Sequence, residues 1–448
     1  MARSSVFSLT LIPVVLLMYA LSQAGQIQFP IPGEEKWRII SDVGVTRDPL
    51  SDRCCAFDSR NRLWVCDTGC DGDDSFILGR WDGESWVNIE RDERVWSICP
   101  GPRNSILIGE EMNLGYYIDD EYREIEMGWP HSERQYTTCF DDDDWVLSYG
   151  QDDGIQRTDW RHGGGHWISA PSYGQISEID AWRGISRWAC VEGEFYYWNF
   201  DTSTTWSLLE PEQDPYCEIE QIQLCGARES WAVGEGHLFA QRQESFYSLV
   251  SQGYPEPNAP IVRLVVDRDI CPWCALENGQ LARWNRNTKE WTHYTCDFLT
   301  GTPQDVILDH FENIFVITDE MIVMMEVDWD GIEFEFLPVK ETYRPSEIVG
   351  INTMARNTSW VGVMTDLYAA FWNKATGEWL FLPDLTNEPK PLLESFWAQY
   401  RAPIYMGAID IGRAPAAPGE YVLIIGFMFE DRLDKLSSNI STFEIKVE

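Results

Sequence analysis

Arg62-Leu63-Trp64-Val65-Cys66 is a five-residue stretch that this chain writes many times over. A bulky apolar residue, usually Trp, precedes a small or aliphatic one at the head of a short strand. Counterparts are Leu107-Ile108, Trp145-Val146, Trp188-Ala189, Trp231-Ala232, Trp273-Cys274, Phe315-Val316 and Trp360-Val361. The steps between them are 43, 38, 43, 43, 42, 42 and 45 residues. Self-similarity at a fixed period of about 40 residues is the mark of a repeat architecture.

Each copy divides into four short strands. In the first, Arg53 to Phe57 is followed by the turn Asp58-Ser59-Arg60-Asn61, then Leu63 to Cys66, Phe76 to Trp81 and Ser85 to Ile89. The last hairpin turns at Asp82-Gly83, a strong hairpin signal. The same hairpin recurs as Trp198-Asn199…Trp206, Trp284-Asn285…Trp291 and Trp372-Asn373…Trp379. Asp and Asn suit the turn because their side chains bond their own backbone, and the flanking aromatics can then pair across the hairpin. Four strands per period with no amphipathic helix between them predict an all-β fold, a β-propeller. Eight copies predict eight blades, with seven as the alternative. A blade exposes two faces that only its neighbours can cover, so nearly every repeated Trp is assigned to packing between blades.

After Leu385 the period breaks. Thr386 to Pro391 has linker composition, and Trp397 to Ile411, Tyr421 to Phe429 and Phe443 to Val447 read as strands. The predicted layout is a signal peptide over 1–24, a propeller over 25–386 and a small β module over 387–448. The Pro418-Gly419-Glu420-Tyr421 turn before a long strand resembles the last strands of an immunoglobulin-like module.

The N-terminus has the pattern of an export signal: Arg3, an apolar run from Val6 to Ala20, and Ser22-Gln23-Ala24 before a cleavage site. It predicts a mature chain starting near Gly25 in an extracytoplasmic setting: periplasmic, secreted or at the cell surface. No later stretch is long and apolar enough to span a bilayer as a helix. The net charge of -39 repels phosphate backbones and anionic lipid, which argues against nucleic acid as a partner.

Twelve cysteines fit an oxidising compartment without forming a zinc module. Cys55 with Cys66, or Cys66 with Cys70, are disulfide candidates. Cys271-Pro272-Trp273-Cys274 has redox-motif spacing but lies on a turn and strand, so a structural disulfide or two thiols is expected there. Asp71, Asp73, Asp74, Asp141 and Asp143 supply oxygen ligands suited to calcium, although neither cluster follows the twelve-residue calcium loop. His162 and His166 sit four apart in a Gly-rich turn, which does not pre-set a zinc site as a helix would. No catalytic residues and no organic cofactor are assigned.

The Asp-containing turn, Leu-Trp-Val, Arg-Trp-Asp-Gly and a final Trp, best seen over Phe57 to Val87, resemble propeller repeats in extracytoplasmic sensor parts of bacterial two-component regulators. The resemblance implies a propeller with a recognition role and transfers no catalytic residue. The vicinal pair Cys54-Cys55 and the ending Thr376-Gly377-Glu378-Trp379 also resemble features of eight-bladed quinone-cofactor dehydrogenases. The full repeat of those enzymes is not matched in the other blades. The expected function is therefore that of a non-enzymatic binding or scaffold propeller for a protein or glycan ligand, met by loops on one face or at the channel mouth. The competing class is a glycosidase or lyase with acidic residues at the channel mouth.

Overall fold

The computed structural model describes residues 31–45, 53–66, 76–101, 105–110, 114–118, 120–125, 135–142, 145–150, 154–159, 165–168, 176–182, 186–191, 194–199, 207–209, 219–226, 229–242, 245–327, 333–356, 363–398, 403–429 and 440–448. Among these residues every regular element is a strand, as the all-β reading requires. The chain divides into two compact units, Pro30–Val327 and a second that includes Asp328–Glu448.

Among the described residues, the first unit forms seven four-stranded sheets arranged as a β-propeller. Their first strands are Cys55–Phe57, Val95–Pro100, Gln135–Asp142, Ile176–Trp182, Ile219–Gly226, Ile261–Val266 and Pro303–Leu308. Each of these contacts the first strand of the next sheet, and Pro303–Leu308 contacts Cys55–Phe57, so the seven form a closed inner ring. Six sheets are consecutive meanders. The seventh is completed by Trp37–Ser41 from the start of the chain, which pairs antiparallel with Ile322–Met325. Trp37 lies opposite Met325 and Ile39 opposite Val323. The strand from the start of the chain pairs the otherwise open edge of Ile322–Met325 and becomes the outer strand of the last blade. Close approach shapes the join: a Cβ on Gly44 would sit 2.1 Å from the Asp319 and Glu320 backbone. Val45 N–H donates to Thr318 O at 2.8 Å.

The repeat stretch holds the second strand of each blade, and its bulky residue is buried between blades. Trp64, Trp273 and Phe315 are each no more than 1% exposed. The Trp64 ring lies 5.1 Å from Tyr117 of the second blade, and Phe315 lies 4.9 Å from Phe57 of the first. The hairpin chemistry also holds. Asp82 Oδ1 accepts the Glu84 and Ser85 N–H groups, both at 2.9 Å, and Asn285 Oδ1 accepts those of Asn287 and Thr288 at 2.9 and 3.1 Å. Trp284 and Trp291 face each other across their hairpin at 5.3 Å.

Two assignments are corrected. In the third blade the equivalent of Trp64 is Leu147, not Trp145: Leu147 pairs with Cys139, eight residues earlier, as Trp64 pairs with Ala56 and Leu107 with Cys99. Counted on Leu147, the steps on either side become 40 and 41, so the uneven 38 disappears. The eighth repeat is not a blade. Its strands Ile348–Arg356 and Val363–Asn373 belong to the second unit, as does Glu333–Pro338.

The second unit has a three-stranded sheet, in the order Glu333–Pro338, Ile348–Arg356, Pro403–Arg413, and a six-stranded sheet. In the latter Val363–Asn373 and Gly419–Phe429 pair over nine residue positions, from Thr365↔Phe429 to Asn373↔Tyr421. Taking in the strands once given to the propeller enlarges the core beyond that of a tail starting at 387. Val349, Ile351, Leu367, Phe371, Leu423, Ile425 and Phe427 are all fully buried. Tyr421 Oη donates to Ala417 O at 2.9 Å, tying the Pro-Gly turn to its strand in the manner of a tyrosine corner.

Candidate functional site

Three sheets of the propeller carry an aspartate-centred frame, at Asp58, Asp267 and Asp309, each six residues before the bulky one. Asp267 is fully buried. Its Oδ1 accepts Asp269 and Cys271 N–H at 2.9 and 3.0 Å, closing the turn. Its Oδ2 accepts Trp273 Nε1–H at 3.1 Å and Arg283 Nε–H at 2.7 Å. Asp58 does the same for Arg60, Arg62 and Trp64, at 2.7 to 3.0 Å. Asp309 accepts Phe311 and Asn313 N–H at 2.8 and 2.9 Å, and Asn61 of the first blade donates to its Oδ2 at 3.1 Å. Burial pushes the Asp267 carboxyl up, while Arg283 and the Cys271 N–H pull it down. Arg62 and Arg80 lie over the Trp64 ring at 5.8 and 5.4 Å and share Asp120. These residues hold the frame; the most conspicuous Asp, Arg and Trp side chains are consumed in it.

A different set stands at one level of the inner ring. Six of the seven first strands carry a register break at the same place, reached at Ser97, Thr137, Glu178, Gln221, Arg263 and Asp305. Cys54, whose carbonyl accepts Cys66 N–H at 2.9 Å, takes that position in the first blade. A bulge adds one residue to the strand and re-aims its side chain. All seven positions carry a polar residue or a thiol. Where their side chains are described they are buried: Cys54 0%, Ser97 1%, Gln221 2%, Arg263 4% and Asp305 1% exposed. Gln221 bridges to the sixth blade, with Nε2 donating to Leu264 O at 3.0 Å and Oε1 accepting Leu264 N–H at 2.7 Å. Arg263 Nε and Ser97 Oγ have no hydrogen-bond partner. This polar belt was not singled out from sequence. The signal was there: in six blades the residue ten before the bulky one is polar or a thiol, Thr137 answering to it in the third on the Leu147 register.

At the seam between the first and seventh blades, the belt brings Cys54, Cys55 and Asp305 together. Their Sγ, Sγ and carboxylate oxygen lie within 4.8 Å of one another. Cys55 Sγ–H donates to Asp305 Oδ2 at 3.4 Å, and Cys54 Sγ is 4.0 Å from the same oxygen. Asp305 Oδ1 accepts Val306 N–H at 2.8 Å, which orients the carboxylate. Burial, then the Cys54 thiol and the Asp305 charge, push the Cys55 thiol well above its usual value.

The residues chosen from sequence fare unevenly. Cys55, Cys66, Cys271 and Cys274 are buried free thiols. Cys55 pairs with Val65, so Cys66 is one register off and its side chain leaves the other face of the sheet, which removes the Cys55–Cys66 disulfide. Cys271 closes the Asp267 turn and Cys274 lies on the following strand Pro272–Leu276, and both are free thiols. Burial, and secondarily Asp267, push the Cys271 thiol up, and burial does the same to Cys274, so neither has the depressed pKa of a redox cysteine. Cys70, Asp71, Asp73, Asp74, Asp143 and His162 lie outside the described residues, as do the side chains of Asp141 and His166.

No family model matches the chain, and no curated protein sequence does. Solved structures match by shape. A catalytically inactive virginiamycin B lyase from Staphylococcus aureus with quinupristin aligns with TM-score 0.52 and 11% identity, over 65% of this chain and 99% of that one. A streptogramin B lyase aligns with TM-score 0.51 and 11% identity over 65% and 98%. A chain of a mitotic checkpoint complex aligns with TM-score 0.52 and 10% identity over 69% and 99%. About two thirds of the chain is the share that Pro30–Val327 occupies. At these identities the likeness establishes the β-propeller fold and nothing of its chemistry.

Proposed function

We propose that the chain is an exported, non-enzymatic binding propeller that recognises a protein or glycan ligand at one face of the ring or at its channel mouth. One observation supports this most directly. The buried polar belt runs around the inner ring at a single level and includes Arg263, which is 4% exposed and whose Nε has no partner. A buried polar atom left unpaired is costly in a folded chain, so its retention points to a ligand or ordered water at the ring centre. The buried thiols with resolved shifts are held protonated. Export rests on the N-terminal sequence pattern, and a retained Met1 in the intact mass of the released protein would refute it.

Binding is tested with the purified full chain on glycan and extracellular-protein arrays, with a polysaccharide hydrolysis and lyase screen in parallel. Saturable binding without turnover is expected, weakened by Arg263→Met. Turnover of a polysaccharide by the chain would replace this reading with the enzymatic one.

A further inference from the structure

We propose that Cys54, Cys55 and Asp305 form a binding site for one thiophilic divalent cation, zinc or its surrogate cadmium, that pins the closing seam of the ring. Two thiols and a carboxylate from opposite ends of the propeller, 250 residues apart in sequence between Cys55 and Asp305, converge at one buried point. The spacing matches a tetrahedral centre. Zinc–sulfur bonds of about 2.3 Å and zinc–oxygen bonds of about 2.0–2.2 Å at tetrahedral angles put S and O about 3.6 Å apart. The two observed distances, 3.4 and 4.0 Å, bracket that value. Asp305 arrives pre-oriented: one oxygen is held by Val306 N–H and the other faces both sulfurs. Such backing of a ligand tunes and strengthens metal binding.

The donor set chooses the ion. Two sulfurs disfavour calcium and magnesium, which take oxygen ligands. The hard carboxylate beside them suits zinc better than copper(I). Three protein ligands leave a fourth position for water or an incoming group. Both thiols bind as thiolates, so one M²⁺ enters and two protons leave, with no change of oxidation state. Because one ligand comes from the seventh blade and two from the first, the bound ion ties together the two blades whose contact closes the ring. Binding to the closed ring alone then raises its stability.

The test uses the purified full chain, treated with chelator and kept reduced with a phosphine, titrated with Cd²⁺ and Zn²⁺. The thiolate-to-cadmium charge-transfer absorption reports sulfur ligation. The wild type is expected to take up one more equivalent than Cys54→Ser/Cys55→Ser, with the band height of two thiolates. Asp305→Asn is expected to keep the band and bind about tenfold or more weakly, in line with the loss of even an outer-shell partner. Affinity should climb roughly a hundredfold per pH unit below the thiol pKa, as two-proton release demands. Zinc at a hundredfold excess over its Kd should raise the melting temperature by roughly 5 °C. Circular dichroism checks that the near-isosteric variants fold. Equal stoichiometry in the double variant, or unchanged affinity in Asp305→Asn, would overturn the site.

Discussion

Replacing Asp267 by Ala removes the centre of the sixth blade's frame. The side chain is fully buried and serves two backbone donors, Trp273 Nε1–H and Arg283, whose Nε and Nη2 both lie 2.7 Å from Oδ2. Breaking a buried ion pair by deleting one partner costs about 3–5 kcal/mol. Orphaning the buried indole N–H adds roughly 1–2 kcal/mol. The backbone donors beside the turn find water more easily, so the expected loss is about 4–7 kcal/mol. That is a large share of the ~5–15 kcal/mol available to a folded domain. It corresponds to a drop of roughly 8–14 °C in melting temperature. Asn is the sharper probe. It keeps the shape and one acceptor, but its NH₂ then faces the Trp273 and Arg283 donors, so Asp267→Asn should lose most of what Asp267→Ala loses. The assay is urea and thermal unfolding followed by tryptophan fluorescence and near-ultraviolet circular dichroism. A loss under 1 kcal/mol in the Ala variant, or wild-type stability in the Asn variant, would refute the reasoning.

Burial holds the Cys55 and Cys274 thiols above their usual value of 9.0. For an acid with a raised folded pKa, the stabilisation is fully present below the unfolded value and fades as pH rises through the folded one. Urea stability should therefore fall above pH ~9 by up to about 1.4 kcal/mol per unit for each thiol, with a shallower slope in Cys274→Ala; identical slopes would refute this. Gly44→Ala should destabilise the propeller by about 1–3 kcal/mol, because its Cβ meets the Asp319–Glu320 backbone where the first strand seats. Hydrogen exchange should then rise in Trp37–Ser41 first, and uniform exchange would count against it. Tyr421→Phe should cost about 1 kcal/mol in the second unit by losing the bond to Ala417 O, read as a shifted denaturation midpoint with an unchanged slope.

Much of the propeller was legible because its repeat is local. A buried wedge such as Trp64 and a self-bonding turn such as Asp82 are fixed by neighbours a few residues away. The blade count was not legible for the same reason. Asn373 accepts Ala375 and Thr376 N–H at 2.9 and 3.2 Å, as Asn285 does in a true blade, so the hairpin at Trp372 and Trp379 looks like a propeller hairpin while lying in another sheet. Strand length carried the missing information. Val363–Asn373 has 11 residues, whereas no described strand of the propeller exceeds eight. The closing partner of Trp37–Ser41 lies at the far end of the unit, and nothing in its sequence names Ile322–Met325. Of the cluster at the seam, the vicinal thiols stood out in the sequence and Asp305 did not. Only the closed ring places it beside them.

The seven described blades within Pro30–Val327 close the ring on their own. The direct test compares two fragments, 25–327 and 25–386, by size-exclusion chromatography and thermal unfolding. The shorter should be monomeric and melt in one cooperative transition close to that of the propeller in the full chain, whereas the longer gains no propeller stability and exposes orphaned strands of the second unit. A shorter fragment that is unfolded, beside a longer one that folds cooperatively, would contradict the seven-bladed ring.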